Sequence, residues 1–381
     1  MSLFETSTTP IGQRPKQFGE SSYVYYRDSE RASVMALRDL LETWFAEIPL
    51  EHQLDPQQRF RSRIAKQHRS AFFEIFLHHL LLRSGYEVGF HPDMQGLTTH
   101  PDFLVSRDGH ASFYLEAIAT SASEREEAEE NRRKRVYDTL NNLRSPDYFL
   151  ALRVEGAPET SPPGARLRTD LARWLQGLDR DGILQSYIGE RYEEIPKYRW
   201  NHEGWSIVFE PIPKSDAARG TTTARPIGLT APTCATQLTL DEELREAVMT
   251  KDRYGIMNLP FVVAAQVVNE FGIDEIAVLD GLLGQETLSR RRLPNGAWMS
   301  NGDPKHTNIS AVMVWPTLDP WHVALIEPFV VHNPWAVNPL PNDAFPLPQH
   351  VVDRQTGNLV IQPGCTMSEL LGLEPYWFPD N

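Results

Sequence analysis

The stretch PDFLVSRDGHASFYLEAIAT (101–120) decides how this chain is built. Apolar runs flank Asp108-Gly109, and Asp-Gly is a two-residue hairpin signal. An antiparallel hairpin follows, with PDFLV (101–105) as one arm and SFYLEAIAT (112–120) as the other. Side chains alternate across a strand, so Tyr114, Glu116 and Ile118 share one face and Phe113, Leu115 and Ala117 the other. Apart from Glu116, FYLEAIA is apolar on both faces, the pattern of a central strand. A carboxylate buried there needs a cation, a hydrogen-bond network or a route to water, since burying it alone costs several kcal/mol. A hairpin of this length brings Asp102 beside Glu116.

Working outward, YEVGF (86–90) reads as a preceding strand. Before it, the spacing predicts one long helix from roughly Gln58 to Ser84, closed by Gly85. Its first half is basic (Arg59, Arg61, Arg63, Lys66, His68, Arg69). Its second half, AFFEIFLHHLLL (71–82), is apolar around nearly the whole circumference and belongs in a core. Glu74 lies in that apolar half, and packing the helix on the hairpin face would carry Glu74 to Asp102 and Glu116. His78 and His79, on the same helix, read as core or capping residues. Further upstream, a helix over about 29–48 stops at Pro49, and SYVYY (22–26) reads as a short extended piece.

Downstream come a charged helix (121–143), a strand (148–154), an amphipathic helix (165–178) and a strand (205–212). A Gly/Thr/Pro-rich stretch (about 213–236) is followed by a helix (about 240–250), FVVAAQVV (261–268), a helix (about 273–284), NISAVMVW (308–315), HVALIEPFVV (322–331) and a Pro-rich tail. The expected fold class is α/β: a mixed central sheet containing an antiparallel hairpin, flanked by helices, with a C-terminal α/β extension. The expected divisions are an N-terminal segment (1–57), a core (58–212) and the extension (213–381).

Composition narrows the function. The 381 residues, 41% hydrophobic and 23% charged, suit a folded globular chain. A net charge of −14 argues against a protein that coats nucleic acid non-specifically, because such binding comes from neutralising phosphates, but a local basic patch is still enough for a nuclease. Cys234 and Cys365 stand alone, without zinc spacing or a disulfide framework. No Walker loop, G-x-G-x-x-G or G-x-S-x-G elbow is present. The opening residues carry no apolar signal region and the longest apolar run (259–268) is too short for a bilayer, so a cytoplasmic protein with no membrane partner is expected.

Glu74, Asp102 and Glu116 together make a hard oxygen site suited to Mg²⁺ or Mn²⁺. The bland alternatives are a Glu74 solvated or paired with an arginine such as Arg69, a turn aspartate at 102, and an outward-facing Glu116. Pro-Asp by itself carries no weight, since it occurs at 92–93, 101–102, 146–147 and 379–380. Only the copy at 101–102 opens a hairpin whose second strand bears a glutamate.

A helix glutamate, a hairpin opened by Pro-Asp and a following Glu-x-x triplet (Glu116-Ala117-Ile118) resemble the PD-(D/E)XK nuclease superfamily over about residues 58–154. The resemblance implies a restriction-endonuclease-like core and Mg²⁺- or Mn²⁺-dependent hydrolysis of DNA or RNA, in bacterial defence or nucleic-acid processing. It also implies metal ligation by Asp102, Glu116 and the Ile118 main-chain carbonyl, assisted by Glu74. The C-terminal half would extend the sheet and shape a substrate cleft or a homodimer interface. Ile118 stands where the family has its lysine. Lys134, Arg132 or Arg133 on the following helix, or Lys66 or Arg69 on the core helix, could replace that cation. The alternative is a degenerate nuclease-fold protein that binds nucleic acid or acts as a scaffold.

Overall fold

The structure is a computed structural model. It describes residues 1–94, 100–119, 124–221, 226–229, 240–251, 257–267, 273–286, 292–300, 302–353 and 358–379. Cys234, Arg290 and Arg291 lie outside these. The chain divides into two compact units, one of residues 1–15, 21–121 and 236–381, the other of 16–20 and 122–235. These cut the chain elsewhere than the divisions expected at 57/58 and 212/213.

In chain order, the first unit contributes α1 (Ser22–Asp28), α2 (Ala32–Ala46), α3 (Leu54–Phe60), α4 (Ala65–Arg83), β1 (Glu87–Phe90), β2 (Phe103–Arg107) and β3 (His110–Ala119). The second holds α5 (Glu124–Asn141), β4 (Tyr148–Glu155), α6 (Gly164–Gln176), α7 (Arg180–Ile188), β5 (Tyr198–His202), β6 (Trp205–Pro213) and β7 (Ile227–Leu229). The chain then re-enters the first unit with α8 (Leu240–Met249), β8 (Phe261–Gln266), α9 (Glu275–Leu283), β9 (Met299–Ser300) and β10 (Asp303–Pro304). It closes with β11 (Ala311–Trp315), β12 (Phe329–His332), β13 (Gln349–Val352), β14 (Leu359–Gln362) and α10 (Met367–Leu371).

The hairpin forms as its turn residues require: Asp108 and Gly109 both take positive φ, 52° and 73°, as a two-residue hairpin turn of type I′ demands. β1, β2 and β3 pair antiparallel and begin an eight-stranded mixed sheet in the order β1-β2-β3-β8-β11-β12-β13-β14. β8 lies parallel between β3 and β11, and every residue of β8 and β11 is buried, which explains why both are apolar but for Gln266 at the end of β8. The C-terminal half thus completes the sheet that the hairpin starts.

Alternation along β3 divides two cores. Phe113 and Leu115, with Phe103 and Val105 of β2, pack on Phe73, Ile75 and Phe76 of α4. Tyr114 and Ile118, with Val263 and Ala265 of β8, pack on Leu244 and Val248 of α8 and Val278 and Leu282 of α9. In the second unit, β5-β6-β4-β7 form a four-stranded sheet covered by Leu167, Leu171 and Leu175 of α6.

Three local expectations change. The long helix of 58–84 is two helices, because residues 61–64 leave helical conformation. There the Ser62 hydroxyl accepts the Ile64 N–H, and the His68 ring takes the Phe60 carbonyl at 2.5 Å. SYVYY is helical, with Tyr23, Tyr25 and Tyr26 buried, since packing the rings inward outweighs β propensity where no partner strand is present. In HVALIEPFVV only Phe329–His332 is strand, as Pro328 has no N–H to give a ladder. Among the described residues no helix is long and apolar enough to cross a membrane.

Candidate metal centre

β2 stops at Phe103, which pairs with Leu115, so the next residue along, Asp102, stands opposite Glu116. Where the ladder ends the Asp102 carboxylate takes its place: Oδ2 accepts the Ala117 N–H at 2.7 Å. That bond fixes Asp102 against β3. Glu116 is only 5% exposed. Its cation comes from Lys251, just beyond α8, whose Nζ donates to Oε1 at 2.5 Å.

Glu74 reaches the same region from the opposite layer. α4 covers the Phe113/Leu115 face of β3, not the Glu116 face, so the expectation that the helix packs on the Glu116 side does not hold. Glu74 instead shares with Asp102 the wall of an open cleft of about 260 Å³ at the strand ends. Its two carboxylate oxygens are forked by Arg59, at 2.8 Å and 2.5 Å, and Arg59 also grips Asp55 at 2.7 Å. Of the bland alternatives for Glu74, an arginine pair is thus realised, with Arg59 rather than Arg69 as the partner. Burial works against the Arg59 charge, but Glu74 and Asp55 more than offset it, and the guanidinium is held firmly charged.

The three carboxylates feel one another. Burial pushes the Asp102 carboxyl well above the usual carboxylate range, and the charges of Glu116 and Glu74 push it the same way. The Ala117 N–H and Lys251 oppose this without reversing it. The chemistry of this donor set, two adjacent carboxylates of which only Glu116 has a cation in contact, fits a hard divalent cation. The fit extends to a pair and not to a completed cage: among the described residues no three acidic, imidazole or thiol groups converge on one point. Arg59 holds Glu74 back, and Lys251 supplies a positive charge to Glu116.

Backbone alternation corrects the expected main-chain ligand. The Tyr114 N–H donates to the Pro260 carbonyl, so residues 114, 116 and 118 turn their backbone toward β8. Ala117 turns the other way, toward Asp102. The main-chain oxygen on the Asp102 side is therefore that of Ala117, while that of Ile118 faces the β8 ladder.

Lys251 was missing from the sequence-based candidates, being 135 residues from Glu116. The available signal was FVVAAQ (261–266), apolar at its first five positions: such a strand neighbours other central strands, and a lysine at the end of the preceding helix arrives with it. The other candidates have partners or surroundings of their own. Lys134 pairs with Glu130 at 2.5 Å and Arg132 with the Pro158 carbonyl, both in the second unit, and Lys66 is exposed. His78 and His79 are buried core residues, His79 against Glu47 and the Trp44 ring.

No protein-family model, curated protein or solved structure matches this chain.

Proposed function

We propose that this chain is a metal-dependent nuclease, a hydrolase of phosphodiester bonds in DNA or RNA. The observation that carries the reading is the Lys251 ammonium seated on Glu116 beside Asp102. It places a lysine where Ile118 leaves none, next to the two acidic residues that need a cation. Asp102 and Glu116 would hold Mg²⁺ or Mn²⁺, with the Ala117 carbonyl on the same side. When bound, the ion polarises the phosphoryl oxygen and makes a coordinated water more acidic. Lys251 neutralises charge on the phosphate and, released from Glu116, orients the attacking water. Glu74 stays forked by Arg59 and acts on the site only through its charge, which bears on Asp102. The buried surroundings of Glu116 keep bulk water from screening these charges.

A second reading has its own support. Arg59 saturates Glu74, and no third ligand converges among the described residues, which favours a degenerate nuclease-fold protein that binds nucleic acid without cutting it. Purified protein incubated with Mg²⁺ or Mn²⁺ and labelled DNA and RNA separates the two. Metal-dependent product that disappears in Asp102→Asn and Glu116→Gln supports the hydrolase. Binding without product in any metal, unchanged by either substitution, supports the degenerate protein.

A further inference from the structure

The cleft that Glu74 and Asp102 share is also lined by rings. His52, from the turn before α3, stacks on Phe90 at the end of β1, with ring centroids 4.7 Å apart and planes 18° apart. His91 follows, 6.5 Å from His52, and His100 lies 4.8 Å beyond it. His91 is exposed and holds a left-handed backbone, φ 46°, a conformation an L-residue keeps only when its surroundings fix it. Its N–H donates to the Asp102 carbonyl at 2.9 Å, which ties the ring shelf to the candidate metal centre.

We propose that this cleft takes one unstacked base of a single-stranded nucleic acid, so that the substrate of the hydrolase proposed above is single-stranded rather than duplex. The inference rests on that proposal for the chemistry, but on the ring shelf for the strand preference. A cleft of about 260 Å³ lies just below the ~300–1,000 Å³ of small-molecule sites, room for one base and its sugar. Inside a duplex both faces of each base are covered by neighbours, so a ring shelf gains nothing from it. A single strand offers a bare face for the His52 ring, backed by Phe90, to stack on.

Binding of the full-length protein is followed by fluorescence anisotropy in EDTA, where no cutting interferes. The probes are a short fluorescein-labelled oligodeoxyadenylate, its ribo counterpart, and the deoxy strand annealed to its complement. The expected result is at least about tenfold tighter binding of either single strand than of duplex. The deoxy and ribo arms distinguish DNA from RNA. Stacking of a base is worth about 1–3 kcal/mol, so His52→Ala should weaken single-strand binding roughly 5- to 150-fold and leave weak duplex binding unchanged. Phe90→Leu keeps the apolar packing while removing the ring, and should act in the same direction with an unchanged thermal midpoint. Duplex bound as tightly as single strand, or single-strand binding indifferent to both substitutions, overturns the inference. Metal-dependent cutting of duplex would then still leave the hydrolase reading standing. Conversely, a protein that never cuts but prefers single strands keeps the inference and loses the hydrolase.

Discussion

Two carboxylate–cation pairs flank Asp102, one on each side of the sheet, and they are built differently. On the α4 side, Arg59 forks both oxygens of Glu74 and braces itself on Asp55. On the β8 side, Lys251 meets Glu116 through a single ammonium at Oε1. A guanidinium fork fixes both partners in one geometry, whereas an ammonium on a flexible stem is a point charge that can change partners. The Arg59 pair reads as a structural clamp, and the Lys251 pair as a cation held ready beside a site that needs one.

The sharpest way to break that comparison is to remove each cation and measure metal-dependent cleavage. Lys251→Met should lower kcat by about 10²- to 10³-fold, as removal of one charge-stabilising group in a dry site does, and Lys251→Arg should recover part of it. Arg59→Met should leave kcat within about tenfold. Equal losses at the two positions would erase the distinction.

Stability should sort the pairs in the opposite way. Arg59→Met strips two charge-assisted hydrogen bonds from a partly buried Glu74, and thermal unfolding should show a loss of about 1.5–3 kcal/mol. Lys251→Met also destabilises, by leaving Glu116 buried without its cation, but added Mg²⁺ should restore its midpoint, because one cation replaces another. If Mg²⁺ rescues Arg59→Met and not Lys251→Met, the assignments of clamp and site are reversed.

A smaller effect follows from pH. Asp102 has its carboxyl raised on folding, so the native state binds more protons than the unfolded chain once pH exceeds about 4. Stability is fully present below that value and falls as pH rises toward and through the raised value. Asp102→Asn should flatten this decline in urea melts without metal; a slope identical to the parent would show that burial and the neighbouring acids do not raise the Asp102 carboxyl. The smallest effect belongs to buried His78, whose ring burial lowers from its usual 6.5 to about 4. That contribution is intact above pH 6.5 and is lost as pH falls toward 4, so His78→Leu should soften acid unfolding in that window, measured by far-UV circular dichroism.

The hairpin and its charge placement were legible in the sequence because their signals are local. Asp108-Gly109 dictates the turn, and alternation over 112–119 fixes which face Glu116 occupies. The mixed sheet flanked by helices was legible for the same reason: apolar runs of strand length alternate with helical ones. What escaped depended on partners far away. The break at 61–64 comes from a ring and a carbonyl that local periodicity does not register. The layer on which α4 lies is a tertiary choice, made by Phe73, Ile75 and Phe76 meeting Phe113 and Leu115. Lys251 became visible only once β8 was seen beside β3.

That parallel pairing of β3 with β8 has a consequence for how the protein comes into being. Between the two strands the chain makes most of its second unit, residues 122–235, so the sheet closes around Glu116 only after residues 261–266 have been synthesised. Contacts of such long separation form late and slowly. A nascent chain emerging from the ribosome would carry the hairpin and its acids long before its lysine.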